Sequence, residues 1–200
     1  MKKFQVLALG LTAVALAVLA AACGSSSSAS SNKSKVNLVA YSTPEPVYAK
    51  LIPAFQKTSA GKGVSFTQSY GSSGDQSRAV DAGQPADVVH FALAPDIDRL
   101  VESKLVSPNW DQNKYNGIVA NSLIVFVVRP GNPKHITTWN DLTKPGVSVI
   151  TPNPFTSGGA RWNIMAAYGA QLKEGKTPAQ AQAYLNTLFH HVPEIGRAHV

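Results

Sequence analysis

Val147-Ser148-Val149-Ile150-Thr151-Pro152-Asn153-Pro154-Phe155-Thr156-Ser157-Gly158-Gly159-Ala160-Arg161-Trp162-Asn163 is the stretch on which the reading of this chain turns. It begins as a buried, β-branched strand, breaks at a Pro/Asn turn and runs through Thr-Ser-Gly-Gly straight into a helix. Gly158 and Gly159 carry no side chain, so the backbone there can approach a ligand closely. Behind them the first N–H groups of the helix lack intrahelical partners and carry the positive end of the macrodipole. Ser157 supplies a hydroxyl donor and a helix cap. Together these make an anion-binding turn.

Two further turns repeat the device. Val64-Ser65-Phe66-Thr67-Gln68-Ser69-Tyr70 alternates like a strand and ends in Gly71-Ser72-Ser73-Gly74 before a helix-like Asp75-Gln76-Ser77-Arg78. Val36 to Tyr41 reads as another strand, turning through Ser42-Thr43-Pro44-Glu45-Pro46, with Pro46 suited to the first turn of a helix. Three Ser/Gly turns point to donors converging on one small oxyanion. Each taken alone is equally the ordinary capped turn of an α/β protein.

The alternation continues along the chain. Strands are expected at 36–41, 63–70 and 87–92, and helices at 46–57, 75–82 and 95–103. This rhythm predicts a parallel sheet with helices packed on it. Asn121 to Val128 is a continuous apolar run that suits a strand buried on both faces. Pro145-Gly146 then leads into the strand at Val147.

The ends of the chain read differently. Met1-Lys2-Lys3 followed by the apolar stretch Val6 to Leu19 is a signal peptide, expected over residues 1–22. Ala20-Ala21-Ala22-Cys23 resembles a bacterial lipobox, although Leu19 stands one step out of the usual register. Cys23 is the only cysteine, so no intramolecular disulfide forms and its expected role is lipidation. Residues 23–35 are Ser-rich and read as a tether. The net charge of +7, to which Lys2 and Lys3 contribute, is scattered over single residues with no basic run. Nucleic acid is therefore not an expected partner.

The segment around Ser157-Gly158-Gly159-Ala160-Arg161-Trp162-Asn163 closely resembles the sulfate- and thiosulfate-binding proteins of ABC importers, in the type II periplasmic-binding-protein family. Ala86-Asp87-Val88-Val89-His90-Phe91-Ala92-Leu93 resembles a strand of the same family, and the likeness runs from about residue 36 to residue 193. The resemblance implies an α/β, two-lobed periplasmic-binding-protein-like fold, with a first lobe at 36–118 and a partial second lobe at 119–193. It carries over anion contacts at Ser73, Ser157, Gly158 and Gly159, and at Ser42 where the family commonly has Asp. It further implies a monomeric receptor, lipid-anchored outside the cytoplasm, that binds sulfate or thiosulfate and serves an ABC permease. Neither a cofactor nor a metal is implied. Another tetrahedral oxyanion such as molybdate, or a surface scaffold or adhesion role with no anion, stays open.

Enzymatic readings find no foothold. There is no Gly-x-Ser-x-Gly elbow, Walker loop or Cys-x-x-Cys pair. His190 and His191 are adjacent and diverge by about 100° on a helix, so they cannot form an i, i+4 metal pair. His90 is expected to be a satisfied core histidine. Trp139 and Trp162 are expected to pack, and Glu45 and Asp75 to face solvent.

Beyond Pro193 the family likeness stops. Glu194-Ile195-Gly196-Arg197-Ala198-His199-Val200 matches what a common sequencing adapter encodes in one frame, so 194–200 is expected to be a foreign tail. On that expectation the second lobe and the return to the first lobe are incomplete.

Overall fold

The computed structural model describes residues 34–193 and the backbone of 195–196. The expected leader, Cys23 and the tether up to residue 33 lie outside the described residues, as does the rest of 194–200.

The chain opens with β1 (Lys35–Tyr41), α1 (Glu45–Gln56), β2 (Ser65–Gly71), α2 (Ser73–Asp81), β3 (Val88–His90) and α3 (Ala94–Glu102). Strand β1 starts at Lys35, within the stretch read as tether, because Lys35 pairs with Ser65. All three strands are parallel, in the order β2-β1-β3. The register aligns Ala40, Tyr70 and His90, and on that face Tyr48 of α1 packs against Tyr70 and His90. The neighbouring positions Val39 and Val89 turn to the other face, where they meet Val80 of α2 and Leu100 of α3. Helices therefore cover both faces, as right-handed crossovers require when the strand order reverses about β1. The reversal opens a crevice at the carboxyl ends of β1 and β2, the place where open α/β sheets bind ligands.

Beyond α3 the chain is largely irregular until a short 3-10 helix at Trp139–Thr143. Thr138 and Asp141 cap it reciprocally, each satisfying a backbone N–H of the other's turn. The segment 121–128, expected as a buried strand, is instead irregular and unpaired among the described residues. Its Leu123, Val125 and Val127 are 86%, 69% and 94% exposed. A strand needs a neighbour to satisfy its backbone, and no described strand lies beside it. The strand expected at Val147 is likewise short. β4 is only Thr151–Pro152, parallel to β5 (Ile195–Gly196).

Helices α4 (Gly158–Lys173) and α5 (Pro178–His190) follow. They pack through Ala167, Leu185 and Leu188, with Trp139, Tyr168 and Tyr184 at the margin, and form a second core separate from that of the three-stranded sheet. Ala at the contact positions lets the two helices approach closely.

Candidate functional site

A cleft of ≈ 190 Å³ lies at the carboxyl ends of the strands. Tyr41, Ser42 and Thr43 line it from the turn after β1, Gly71, Ser72 and Ser73 from the turn after β2, and Ala92 from the turn after β3. Pro152, Ser157, Gly158, Gly159 and Asn163 line it from β4 and the start of α4, and Ile124 from the irregular segment 121–128. All five residues expected to contact an anion are thus brought together in one place. None of the lining side chains is charged.

The donors differ in how free they are. Ser157 is buried at the N-cap of α4, where its Oγ accepts from the Ala160 N–H at 3.3 Å and keeps its own proton to give. Its backbone N–H is spent on the Asn153 carbonyl. The N–H groups of Gly158 and Gly159 open α4 and have no protein acceptor among the described residues. Gly159 is exposed, and a Cβ there would meet only Ser157 Oγ, at 3.6 Å. Gly158 is confined. A Cβ on it would lie 2.8 Å from Ala92 Cβ and 3.3 Å from Ser73 Cβ. Glycine at 158 therefore serves the close docking of α4 on the turns after β2 and β3.

Ser73 and Ser42 each have one of their two donors already engaged within the protein. The Ser73 hydroxyl donates to Asp96 Oδ2 at 2.6 Å and accepts from the Ala92 N–H at 2.9 Å, so it has no proton left for a ligand. The backbone N–H of Ser73, at the start of α2, has no acceptor among the described residues and is the donor this position offers. At Ser42 the N–H donates to the Gly71 carbonyl at 2.9 Å, closing β1 onto β2, which leaves the hydroxyl.

Four polar lining residues stand outside the five expected contacts: Tyr41, Thr43, Ser72 and Asn163. Thr43 lines the cleft beside Ser42. Asn163 stands one helical turn after Gly159 and bonds Thr151 Oγ1 at 3.1 Å through Nδ2. The i, i+4 spacing from Gly159 could have found it, since such positions share a helix face.

Around the cleft, Glu45 and Asp75 are exposed, and Asp75 pairs with Arg78 three residues on. His90 is half-buried with its Nδ1 3.0 Å from the Tyr48 hydroxyl and its ring edge-on to Tyr41. Burial pushes its pKa below the ordinary histidine value. Trp139 packs against Phe126, whereas Trp162 is half-exposed and donates its indole N–H to the Ala92 carbonyl at 3.0 Å. Among the described residues no cluster of His, Cys, Asp and Glu could hold a metal ion.

Helix N-termini and hydroxyls thus face a neutral cleft, on an α/β scaffold of the periplasmic-binding-protein type. A protein-family model described as "Bacterial extracellular solute-binding protein" matches residues 36–188. The chain belongs to this family. It is 44% identical to the sulfate-binding protein of Synechococcus elongatus over 82% of this chain and 48% of that protein. It is 39% identical to the thiosulfate-binding protein of Pseudomonas aeruginosa over 80% of this chain and 51% of that one. Among solved structures, the sulfate-binding protein SubI of Mycobacterium tuberculosis superposes with a TM-score of 0.78 at 45% identity, covering 82% of this chain and 57% of that chain. The chain thus spans about half the length of the curated relatives it matches.

Proposed function

We propose that the full-length protein captures sulfate or thiosulfate outside the cytoplasm and delivers it to the permease of an ABC importer, held to the membrane by lipid on Cys23. The observation that carries this reading is the set of free donors on an uncharged cleft: the N–H groups of Ser73, Gly158 and Gly159 and the hydroxyl of Ser157. A doubly charged oxyanion with no proton is matched by donors alone. Each helix terminus contributes about 0.3–1 kcal/mol, up to ~2 when partly buried. The names of the relatives supply the ligand class.

The same reading gives selectivity against hydrogen phosphate. That ion brings a proton needing an acceptor, and a buried donor left unmatched costs roughly 1–3 kcal/mol. The carboxylates near the turns, Glu45 and Asp75, are exposed and do not line the cleft.

We read the chain as part of a longer protein, whose remaining segments complete the second lobe and return to the first. Support comes from the share of its relatives that it spans and from the apolar, unpaired segment 121–128. On this reading the 200 residues alone are poorly stable and bind sulfate weakly or not at all.

Isothermal titration of the full-length protein with sulfate, thiosulfate, molybdate and phosphate tests the proposal. Micromolar or tighter binding of sulfate or thiosulfate, with phosphate excluded, is the expected outcome. Tight molybdate binding alone would reassign the ligand, and no heat with any oxyanion would leave a scaffold role. Labelled-palmitate incorporation that disappears in Cys23→Ala tests the anchor.

A further inference from the structure

Asp96 is the least explained polar residue of the fold. It sits in the first turn of α3 at 1% exposure and does not line the cleft. Its Oδ2 accepts from Ser73 Oγ at 2.6 Å, while its Oδ1 is buried without a hydrogen-bond partner. The nearest cation is Arg161 of α4, whose Nη1 lies 3.9 Å from Oδ1, too long for a hydrogen bond. A buried carboxylate so weakly compensated lowers stability relative to a well-packed apolar residue. Packing alone gives no reason for it.

The reason lies in what the carboxylate does to Ser73. By taking the Ser73 hydroxyl proton, it leaves Ser73 Oγ as an acceptor, and that acceptor holds the Ala92 N–H at 2.9 Å. One carboxylate thereby ties the turn after β2 to the turn after β3. Beside it, the Ser77 hydroxyl donates to the Asp96 carbonyl at 2.6 Å and locks α2 onto α3. The Gly74 N–H, next to Ser73, donates to the Thr156 carbonyl at 3.0 Å and joins the same assembly to the turn before α4. The backbone carrying the free N–H of Ser73 is therefore fixed from behind, through the hydroxyl of the same residue.

We propose that Asp96 is a positioning residue for anion capture, acting through Ser73 to hold the N-terminus of α2 in its donor geometry. The inference rests on the oxyanion-binding reading given above. It separates two roles within Ser73: the main chain faces the ligand, and the side chain serves Asp96.

Sulfate affinity and melting temperature of the full-length protein, measured for wild type, Asp96→Ala, Ser73→Ala, Asp96→Asn and the Asp96→Ala/Ser73→Ala double variant, test this. Each Ala substitution breaks the same relay, so each weakens sulfate binding about tenfold, the equivalent of one ordinary hydrogen bond. The double variant binds no worse than the weaker single one, because the residues act in series. Asp96→Asn keeps an acceptor for Ser73 and restores binding to within about threefold of wild type. A loss of stability without this pattern in affinity is what a purely structural role would give, and it overturns the proposal. So do additive losses, an Asn variant as weak as the Ala variant, or unchanged affinity in Ser73→Ala. Should Asp96→Ala fail to fold, Ser73→Ala and Asp96→Asn decide it by the same opposite outcomes. A wild-type protein that ignores sulfate overturns the functional reading first and this proposal with it, whereas a sulfate-binding wild type with indifferent variants overturns only this one.

Discussion

Gly158 stands so close to Ala92 that a methyl group on its α-carbon would lie 2.8 Å from the Ala92 β-carbon. Its neighbour Gly159 has open space at the same position, with only Ser157 Oγ at 3.6 Å. Two adjacent glycines thus carry different duties. The first lets α4 seat on the turns after β2 and β3, and the second leaves the cleft uncovered.

Substituting them separates the duties. Gly158→Ala forces Ala92 and Leu93 apart and is expected to destabilise by about 1–3 kcal/mol, the usual cost of overpacking. Gly159→Ala is expected to leave the melting temperature unchanged or slightly raised, since Ala favours helix over Gly. Its methyl group projects toward the cleft, so anion affinity falls while stability does not. Thermal melts alongside titration calorimetry distinguish the two, and a stability loss at 159 equal to that at 158 would contradict the packing described.

Ser157 couples a cap to a donor. Ser157→Ala removes both and should cost about 0.5–2 kcal/mol of stability together with most of the anion affinity. In Ser157→Gly the cap is nearly neutral, with only a few tenths of a kcal/mol expected. Affinity should nevertheless fall as far as in the Ala variant. If Gly at this position binds sulfate like wild type, the hydroxyl is not a ligand donor.

His90 gives the fold an acid-sensitive point. Burial holds its pKa below the ordinary 6.5, so the folded state favours the neutral ring. Its contribution to stability is complete above the unfolded value and is lost as pH falls through the depressed one. Between about pH 7 and about pH 5 the wild-type melting temperature should therefore drop further than that of His90→Gln, which keeps a neutral partner for Tyr48. Parallel pH profiles would count against this.

The contribution of Asp141 is lost in the same direction, toward acid, but in a lower pH range and because its charged form is the one stabilised. Lys144, then the backbone N–H groups of Thr137 and Thr138 and the Thr138 hydroxyl, hold its carboxyl well below the usual carboxylate range. Its stabilisation is present above the unfolded value near 3.8 and is lost as pH falls through the lower folded value. Asp141→Asn should lower stability at neutral pH and blunt the steepest part of acid unfolding. An unchanged acid limb in denaturation monitored by circular dichroism would refute it.

Much of the scaffold was legible because its signals are local. Pro46 and the alternation of β1 and β2 placed the first two β–α units to within a residue or two, and Ser157-Gly158-Gly159 announced the start of α4. The run 121–128 misled because an apolar, β-branched sequence states a preference for a sheet without naming a partner, and pairing is not a local property. The five expected residues do meet in one cleft, since loops after parallel strands emerge at the same edge. What the sequence could not convey was the direction of the donors. Asp96 looks like any acidic residue in the first turn of a helix, and only its depth in the fold reveals that it claims the Ser73 proton.

The indole of Trp162 reaches from α4 to the Ala92 carbonyl while half its surface stays in water. Its fluorescence depends on both circumstances, so the side chain is a native optical gauge of how firmly α4 seats on the turn after β3. Within these 200 residues only Trp110 and Trp139 share that emission band, and replacing both by Phe leaves Trp162 as the one tryptophan of this stretch. Stopped-flow mixing of that variant with an oxyanion would follow the seating of α4 in real time, with no extrinsic dye.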